Sequence, residues 1–298
     1  MAIEIERVDH LPSLPPRPRD SNKGQWGHLL AVAGSQGMIG APSLLANAAL
    51  RSGAGLVTVA TPQTIQPFVA MLCPCATSAP LSVQGGDLSP LAVGEVLREA
   101  EKCSVLAVGP GMGVALPQRM VVRALLEQAR PLVIDADGLN NLVHIAGWPA
   151  LHRGPLVLTP HPGEMSRLTG RSVKEIQADR EGSAEAALRE WADQRTVQDA
   201  PLVLVLKGAG TIVTDGRRMY VNTTGNPGLA TGGTGDVLTG VIAALIGQGL
   251  SPFDAAVLGV YVHGAAGDAA AARLGQVSLI ATDVVDYLPH AFTQVQRT

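Results

Sequence analysis

Residues 222–240 read NTTGNPGLATGGTGDVLTG and join a glycine-dense turn to the start of an apolar helix. Gly232, Gly233 and Gly235 lack a Cβ, so the backbone can adopt positive φ there and let a phosphate come close. The helix predicted over about 235–247 offers unpaired N–H groups and the positive end of its dipole in its first turn. The stretch therefore predicts an anion hole at the start of this helix.

Asp236 lies in the first turn of this predicted helix and is the only charged residue between Arg218 and Asp254. A carboxylate beside a phosphate site can accept the proton of a hydroxyl that is about to be phosphorylated. The alternative is an ordinary tight turn followed by an acid that interacts with the helix dipole. The repeated Gly and Thr residues favour phosphate binding, because a plain turn needs only one or two of them.

Outside this stretch, short Leu- and Val-rich runs alternate with helix-length segments. The runs predict buried strands at 29–33, 56–60, 105–108, 132–134, 156–158 and 202–206, helices at 41–52, 116–129 and 173–195, and a hairpin from 211–214 and 219–222. Further helices are predicted from Val237, Pro252 and Asp283. This alternation is typical of an α/β fold with a doubly wound, mostly parallel central sheet flanked by helices on both faces.

The residues that follow the predicted strands are rich in Gly, Pro, Asp and His. They occupy 34–37, 109–113, 135–138, 159–164 and 207–211. Ligands of open parallel sheets bind beyond the carboxyl ends of the strands. The sequence therefore favours a small-molecule site over a purely structural domain.

Composition and charge exclude several classes of partner. The 298 residues are 46% hydrophobic but only 3% aromatic, which is unlike a base-stacking surface, and the formal net charge is −3. We therefore expect neither nucleic acid nor anionic membrane as a partner. The N-terminus carries acids in place of the bases of a secretory signal, and no run of about 18 apolar residues is evident, so we expect a soluble, cytoplasmic protein.

The chain shows one expected division, between a proline-rich N-terminal arm at 1–20 and a single domain at 21–298. The three cysteines, Cys73, Cys75 and Cys103, form no CxxC pair, and we interpret them as packing thiols. No metal ligands can be assigned from the sequence.

Two nucleotide signatures are missing, since there is no GxxxxGK[ST] motif and the run from Gly109 to Val114 fails GxGxxG at its last position. Lys207, at the end of a predicted strand, either meets a nucleotide phosphate or is a snorkelling lysine that leaves the core. Thr211 either adds a hydroxyl or simply opens the next strand.

Three further sites have two interpretations each. His161, between two prolines, either faces a ligand or belongs to a helix-entry turn that includes Glu164. Asp135 and Asp137 either bind magnesium through water or cap the turn at Leu139, and capping is the preferred interpretation. His263 is interpreted as a core histidine of a late helix.

Taken in order, these segments resemble the nucleotide-dependent NAD(P)H-hydrate dehydratases of the ribokinase-like superfamily. The resemblance runs through Gly34-Ser35, Ser52-Gly53-Ala54-Gly55, Gly109-Pro110-Gly111-Met112-Gly113, Asp135-Ala136-Asp137-Gly138-Leu139-Asn140, Thr159-Pro160-His161-Pro162-Gly163-Glu164, Lys207-Gly208, Asn226-Pro227-Gly228, Gly233-Thr234-Gly235-Asp236 and His263-Gly264-Ala265-Ala266-Gly267-Asp268. Asn22 departs from the pattern, since the family often has histidine there before Lys-Gly. The Thr-Pro-His-Pro-Gly-Glu and Asp-Ala-Asp runs distinguish this family from other ribokinase-like kinases.

The resemblance implies repair of NADHX or NADPHX, reduced nicotinamide cofactors hydrated at C6. ADP, or ATP, phosphorylates the hydroxyl, and phosphate then leaves to restore NADH or NADPH. Asp236 would accept the hydroxyl proton and contact the hydrate, and the N–H groups of Gly233, Thr234 and Gly235 would form the anion hole for the transferring phosphoryl group. Ala41, Gly111, Gly113 and His161 would line the hydrate pocket. Lys207, Gly208, Ala209, Gly210, Thr211 and Gly235 would bind the nucleotide, and Mg²⁺ is the implied counter-ion.

The same resemblance implies a homo-oligomer, with a tetramer suspected. It also implies that a separate epimerase converts the other hydrate epimer, since the chain has no room for a fused epimerase domain. Two alternatives stay open. One is a ribokinase-like kinase of a hydroxymethylpyrimidine or hydroxyethylthiazole type of alcohol, and the other is a nucleotide-binding module without turnover.

Overall fold

The central strands form where short Leu- and Val-rich runs are buried on both faces. The computed structural model describes residues 5–296 and contains a ten-stranded sheet with the order β1-β12-β11-β10-β9-β8-β7-β2-β3-β4, and a separate β5-β6 ribbon. The strands are β1 Glu6–Arg7, β2 His28–Val32, β3 Leu56–Pro62, β4 Thr77–Leu81, β5 Val83–Gln84, β6 Asp87–Leu88, β7 Val105–Val108, β8 Leu132–Ile134, β9 Leu156–Leu158, β10 Leu202–Leu206, β11 Ile212–Thr214 and β12 Arg218–Val221.

The sheet is mostly parallel, as expected. Seven strands pair in parallel with one another, in the order β10-β9-β8-β7-β2-β3-β4. Strand β11 pairs antiparallel with β10 on one side and with β12 on the other. The predicted bounds of the strands at 105–108, 132–134, 156–158 and 202–206 agree with β7, β8, β9 and β10. Edge strands β1 and β4 carry a weaker apolar pattern and were not predicted.

Helices cover both faces of the sheet. They are α1 Gly40–Arg51, α2 Gln66–Leu72, α3 Ala92–Ala100, α4 Leu116–Leu126, α5 Asp137–Leu142, α6 Trp148–Leu151, α7 Pro162–Thr169, α8 Val173–Ala178, α9 Arg180–Asp193, α10 Thr234–Gly247, α11 Pro252–Leu274 and α12 Ala281–Val295. Alternate residues of β2 enter two cores, with Leu29 and Ala31 facing α1 and α10 and Leu30 and Val32 facing α3 and α4. The doubly wound architecture is confirmed.

The predicted helix at 173–195 is two helices, α8 and α9. Asp179 interrupts it with φ −145° and ψ 83°, and its side chain accepts a hydrogen bond from the N–H of Gly182 to start α9. An Asp can compete for backbone donors in this way, which periodicity does not reveal.

The long apolar helix α11 is a core element. By length and composition it could cross a membrane, but 61% of its apolar window is buried inside the protein, where it packs against α10 and α12. An apolar helix of this length was not expected from the sequence, where no apolar run of about 18 residues was evident. Its burial explains the hydrophobicity without a membrane.

The N-terminal arm is joined to the sheet at its start, because Glu6–Arg7 pairs in parallel with β12. Farther along, Leu11 and Leu14 pack against the core that contains α12, and the Arg17 guanidinium lies 4.3 Å from the centre of the Trp26 ring. Residues 1–4 of the predicted arm lie outside the described residues. The boundary near residue 20 stays a prediction.

Candidate active site

A buried ion pair links the ends of two parallel strands. Lys207, after β10, donates from Nζ to Oδ1 of Asp135, after β8, at 2.5 Å, and the same Nζ lies 3.8 Å from Oε2 of Glu164 in α7. Burial alone lowers the pKa of Lys207, but the charges of Asp135 and Glu164 outweigh burial, so this pKa is raised and the ammonium persists. The cluster places a fixed positive charge at the carboxyl edge of the sheet.

The first turn of α10 lies directly on this ion pair. Thr239 donates from Oγ1 to Oδ2 of Asp135 at 2.8 Å, so both oxygens of Asp135 are engaged. A Cβ at Gly235 would lie 3.3 Å from Nζ of Lys207, which shows how close the helix backbone comes to the ammonium. Gly233, the N-cap residue, has φ 92° and provides no side chain to cap the helix. The free N–H groups of this turn and Lys207 together favour an anion.

Asp236, in the first turn of α10, is an acid without a partner beside this ion pair. Its side chain is half-buried and, within residues 5–296, accepts no hydrogen bond and forms no ion pair. Burial raises the pKa of Asp236 to about 7, and the nearby charge of Asp135 adds to the effect while Lys207 opposes it. A carboxylate that is half protonated near neutrality and lacks a partner is suited to act as a general base.

His161 and Glu164 form a capping box at the start of α7. The His161 Nδ1 accepts hydrogen bonds from the N–H groups of Gly163 and Glu164 at 3.0 and 3.3 Å, and Glu164 Oε2 accepts one from the N–H of His161 at 2.8 Å. This geometry assigns the ring proton to Nε2, which lies 3.4 Å from Oε1 of Glu164. Burial lowers the pKa of His161, and Lys207 and Arg167 lower it further, so the imidazole is neutral. Both interpretations of His161 therefore remain compatible with its position, because the ring caps α7 beside the ion pair.

Gly111 lies next to Ala41, and Gly113, two residues farther along the chain, contacts Asp137. A Cβ at Gly111, where φ is +62°, would lie 3.1 Å from Cβ of Ala41. The N–H of Gly113 donates to Oδ2 of Asp137 at 3.0 Å. A Cβ at Gly111 would also lie 3.0 Å from Cβ of Met38, so the backbone at Gly111 packs closely against the start of α1 and the loop before it.

The capping interpretation of the two aspartates is wrong for Asp135, which pairs with Lys207 and Thr239. Asp137 is the first residue of α5, and its oxygens accept from Gly113 N and, at 3.1 Å, from Asn140 Nδ2, while no side chain caps α5. No group of three or more His, Cys, Asp or Glu that could hold a metal occurs within residues 5–296.

A cavity of about 530 Å³ lies beside the first turn of α10, where Thr234 and Gly235 form part of its lining. It is lined by all the residues predicted to bind a nucleotide, which are Lys207, Gly208, Ala209, Gly210, Thr211 and Gly235. Thr211 donates from Oγ1 to the carbonyl of Gly208 at 2.9 Å and so fixes the turn after β10. Leu229, Leu238 and Val260 add apolar surface suited to a flat base.

His263 also lines this cavity, which the core interpretation of the sequence missed. Its Nε2 donates to the carbonyl of Thr234 at 2.9 Å and so fixes the first turn of α10, and burial lowers the pKa of His263 to about 4. The spacing of His263 on an apolar helix gave no signal of this contact, because its partner is 29 residues away.

A larger cavity of about 810 Å³ lies under the N-terminal arm and is lined by residues 11–17, Gln248 and parts of α1, α11 and α12. Gln248 follows the last residue of α10, whereas the candidate site is at the first turn of this 14-residue helix. The two places are therefore about 20 Å apart. We choose the candidate active site by its chemistry and not by cavity size.

Comparison with known proteins agrees with this geometry. The sequence profile of a family described as NAD(P)H-hydrate dehydratase matches residues 29–290. The bifunctional NAD(P)H-hydrate repair enzyme Nnr of Moorella thermoacetica is 45% identical over 288 residues, covering 95% of this chain and 52% of that protein. Nnr of Escherichia coli is 38% identical over 287 residues, covering 96% of this chain and 51% of that protein. The chain thus spans about half the length of these curated relatives.

A solved structure is similar over nearly its whole length. The crystal structure of ADP/ATP-dependent NAD(P)H-hydrate dehydratase from Bacillus subtilis, co-crystallised with ATP and Mg²⁺, is 31% identical, with a TM-score of 0.77. The alignment covers 95% of this chain and 94% of that one. The crystal structure of a ribokinase-like superfamily protein from Enterococcus faecalis, 24% identical, has a TM-score of 0.79 over 96% of this chain and 93% of that one, which confirms the ribokinase-like fold predicted from the sequence.

Proposed function

We propose, because the chain belongs to the NAD(P)H-hydrate dehydratase family, that it is a hydro-lyase that restores NADH and NADPH from their C6 hydrates at the expense of a nucleoside phosphate. The observation that carries the proposal is the unpartnered carboxylate of Asp236, with its pKa raised to about 7, beside a fixed lysine and free helix N–H groups. The donor is ADP, or ATP.

In the first step the C6 hydroxyl oxygen attacks the terminal phosphorus while Asp236 takes the hydroxyl proton. The bond from phosphorus to the remaining nucleotide breaks, and the N–H groups of Gly233, Thr234 and Gly235 stabilise the transferring phosphoryl group. In the second step the lone pair of the ring nitrogen expels phosphate from C6. C5 of the resulting iminium ion then loses a proton to water, which forms the C5=C6 double bond of the restored cofactor.

Two neighbouring regions would hold the two substrates. The hydrate would lie against Ala41, Gly111, Gly113 and His161, and the nucleotide would occupy the cavity formed by residues 207–211 and Gly235. The volume of about 530 Å³ is within the range of small-molecule and cofactor sites. Asp236 follows Gly235, which lines the nucleotide cavity, and from there it would reach the hydrate hydroxyl.

Mg²⁺ fits the site as an ion held mainly by the nucleotide phosphates. The described part of the chain offers no three-ligand cage, and Mg²⁺ at phosphates typically uses one or two carboxylates and water. Glu164 would hold it through water at Oε1, which accepts no hydrogen bond within residues 5–296, although Nε2 of His161 lies 3.4 Å away. When bound, the ion neutralises phosphate charge.

The partners and location belong to the same proposal. A separate epimerase activity would convert the other hydrate epimer, and we place the protein in the cytoplasm, where both proposed substrates are metabolites. We also propose a homo-oligomer, with a tetramer as the first state to test by light scattering.

The direct test supplies purified protein with NADHX, Mg²⁺ and either ADP or ATP, and follows absorbance at 340 nm. The proposal expects absorbance to recover with stoichiometric release of phosphate. Phosphorylation of a hydroxymethylpyrimidine or hydroxyethylthiazole, with no effect on the hydrate, would instead identify a small-alcohol kinase. Nucleotide binding without turnover of either substrate class would identify a binding module.

A further inference from the structure

Residues 222–230, which follow β12, form the wall of the nucleotide cavity that faces residues 207–211. We call this segment the cavity wall, and its first residues are hydrogen-bonded to α11. Asn222 donates from Nδ2 to the carbonyl of Val260 at 3.2 Å, and Thr224 donates from Oγ1 to the carbonyl of Tyr261 at 2.8 Å. The cavity wall is thus positioned by a helix that carries none of the proposed reacting groups.

Asp268 of α11 holds the middle of the cavity wall. Its Oδ2 accepts a hydrogen bond from the N–H of Gly225 at 2.8 Å, and its Oδ1 accepts one from Nδ2 of Asn226 at 2.9 Å. Asn226 in turn accepts at Oδ1 from the N–H of Gly228 at 3.0 Å and starts the short helical turn Pro227–Leu229. Within residues 5–296, both oxygens of Asp268 accept hydrogen bonds only from residues of the cavity wall.

Two glycines on the same helix let the wall approach closely. A Cβ at Gly264 would lie 2.2 Å from Oγ1 of Thr224, and a Cβ at Gly267 would lie 2.6 Å from Cδ2 of Leu229. Real Cβ atoms do not come this close to a neighbour, so the notch exists only with glycine. Leu229, seated in the notch, presents apolar surface to the cavity.

We propose that Asp268 is a positioning residue for the nucleotide. By fixing Gly225 and Asn226, it holds the cavity wall in the shape that receives a nucleoside phosphate, and it sets nucleotide affinity without touching the reacting atoms. This inference builds on the proposed function, since it names a further determinant of the same site.

The test exchanges the partners of the carboxylate–amide contact. In Asp268→Asn an amide NH₂ group must face either the Gly225 N–H or the Asn226 amide, so two donors oppose each other and one hydrogen bond is lost. We expect the Kd for ADP and the nucleotide KM to rise about tenfold, because hydrogen bonds to charged groups contribute about that factor. We expect kcat to change less than about twofold, since the reacting groups stay in place.

The double variant Asn226→Asp with Asp268→Asn restores every contact. The amide introduced at 268 donates to the carboxylate introduced at 226 and still accepts from Gly225, while Gly228 keeps its acceptor. We expect its Kd for ADP to return to within about twofold of wild type. Asn226→Asp alone places two carboxylates together and should weaken binding at least as much as Asp268→Asn.

The matched control is Asp286→Asn, an exposed aspartate of α12 that loses the same charge outside the cavity. It should leave the Kd for ADP unchanged. A wild-type Kd in folded Asp268→Asn, or failure of the exchange to restore binding, would overturn the proposal. If Asp268→Asn does not fold, the double variant still decides by its Kd. Calorimetric ADP binding by wild type without hydrate turnover would overturn only the proposed function.

Discussion

The carboxyl end of β8 and the first turn of α10 each place one aspartate at the same sheet edge, in opposite states. Asp135 is 1% exposed, and its oxygens accept from Lys207 and Thr239. Asp236 is half-buried, has no partner within residues 5–296, and has its pKa raised to about 7. The two acids are close enough for the charge of Asp135 to raise the pKa of Asp236, yet their roles differ. The paired one holds the lysine, and the unpaired one stays available for proton transfer.

The largest expected effect concerns Asp236, the unpaired acid in α10. Asp236→Asn removes the base but leaves the backbone N–H groups, so kcat for hydrate repair should fall by about 10³-fold or more. The Kd for ADP, measured by calorimetry, should stay within about threefold of wild type. Activity near the wild-type level would show that another group takes the proton.

The next effect concerns stability and comes from the β8 side. Asp135→Asn removes the carboxylate that is hydrogen-bonded to the buried Lys207 and leaves only weaker charge interactions with Glu164 and Asp236, and breaking a buried pair costs about 3–5 kcal/mol of unfolding free energy. Thr239→Val is the matched variant, because it removes one neutral donor to the same carboxylate and should cost about 1 kcal/mol. Urea titrations at pH 7 would measure both values. Equal losses would show that the ion pair has no special weight.

A third prediction uses the pH dependence of stability at Asp236. Since its folded pKa is raised from 3.8 to about 7, the unfolded chain ionises first, and the native state loses relative stability as pH rises between these values. Asp236→Asn lacks this loss. We expect the variant to be more stable than wild type by about 2 kcal/mol at pH 8, after discounting for solvent screening, and the difference to vanish near pH 3.5. Thermal unfolding at both pH values checks the sign, and a variant less stable than wild type at pH 8 would oppose it.

The smallest expected effect tests whether Gly111 contacts only the hydrate, as the proposed division into two substrate regions requires. Gly111→Ala places a methyl group 3.1 Å from Cβ of Ala41 at φ +62°, so the hydrate KM should rise by several-fold, roughly 1 kcal/mol of lost binding. The KM for ADP should not change, because Gly111 is not part of the nucleotide cavity. Steady-state kinetics with each substrate varied in turn separates the two. Equal increases in both KM values would place Gly111 between the substrates.

Much of the central sheet could be predicted, because a strand buried on both faces has a continuous apolar run whose ends are marked by Gly, Pro or Asp. The bounds of β7 to β10 were predicted in this way. The edge strand β4, Thr77–Leu81, was not, since it faces a neighbour on one side only and mixes Thr, Ser and Pro with apolar residues. The break between α8 and α9 was missed because it depends on a side-chain cap.

The site was predictable where neighbouring residues in sequence form one turn. Lys207–Thr211 and the α10 start are such cases, and the structure gathers the proposed nucleotide residues around one cavity. The Asp135–Lys207 pair joins residues 72 positions apart, and the contacts of Asp268 span 42 and 43 positions. No local spacing encodes such pairs. For Asp268 the available signal was the Gly264, Gly267 and Asp268 pattern within an apolar helix, where only a close backbone approach explains the glycines.

The most direct measurement is a ¹³C NMR titration of aspartate carboxyl groups in ligand-free protein, with Asp236→Asn used to identify the signal of Asp236. We expect the wild-type protein to show a carboxyl signal that titrates with a midpoint at a pH of about 7 and is missing from the variant. If the signal missing from the variant titrates near 4, Asp236 is an ordinary solvated acid, and its assignment as a base held ready near neutral pH is contradicted.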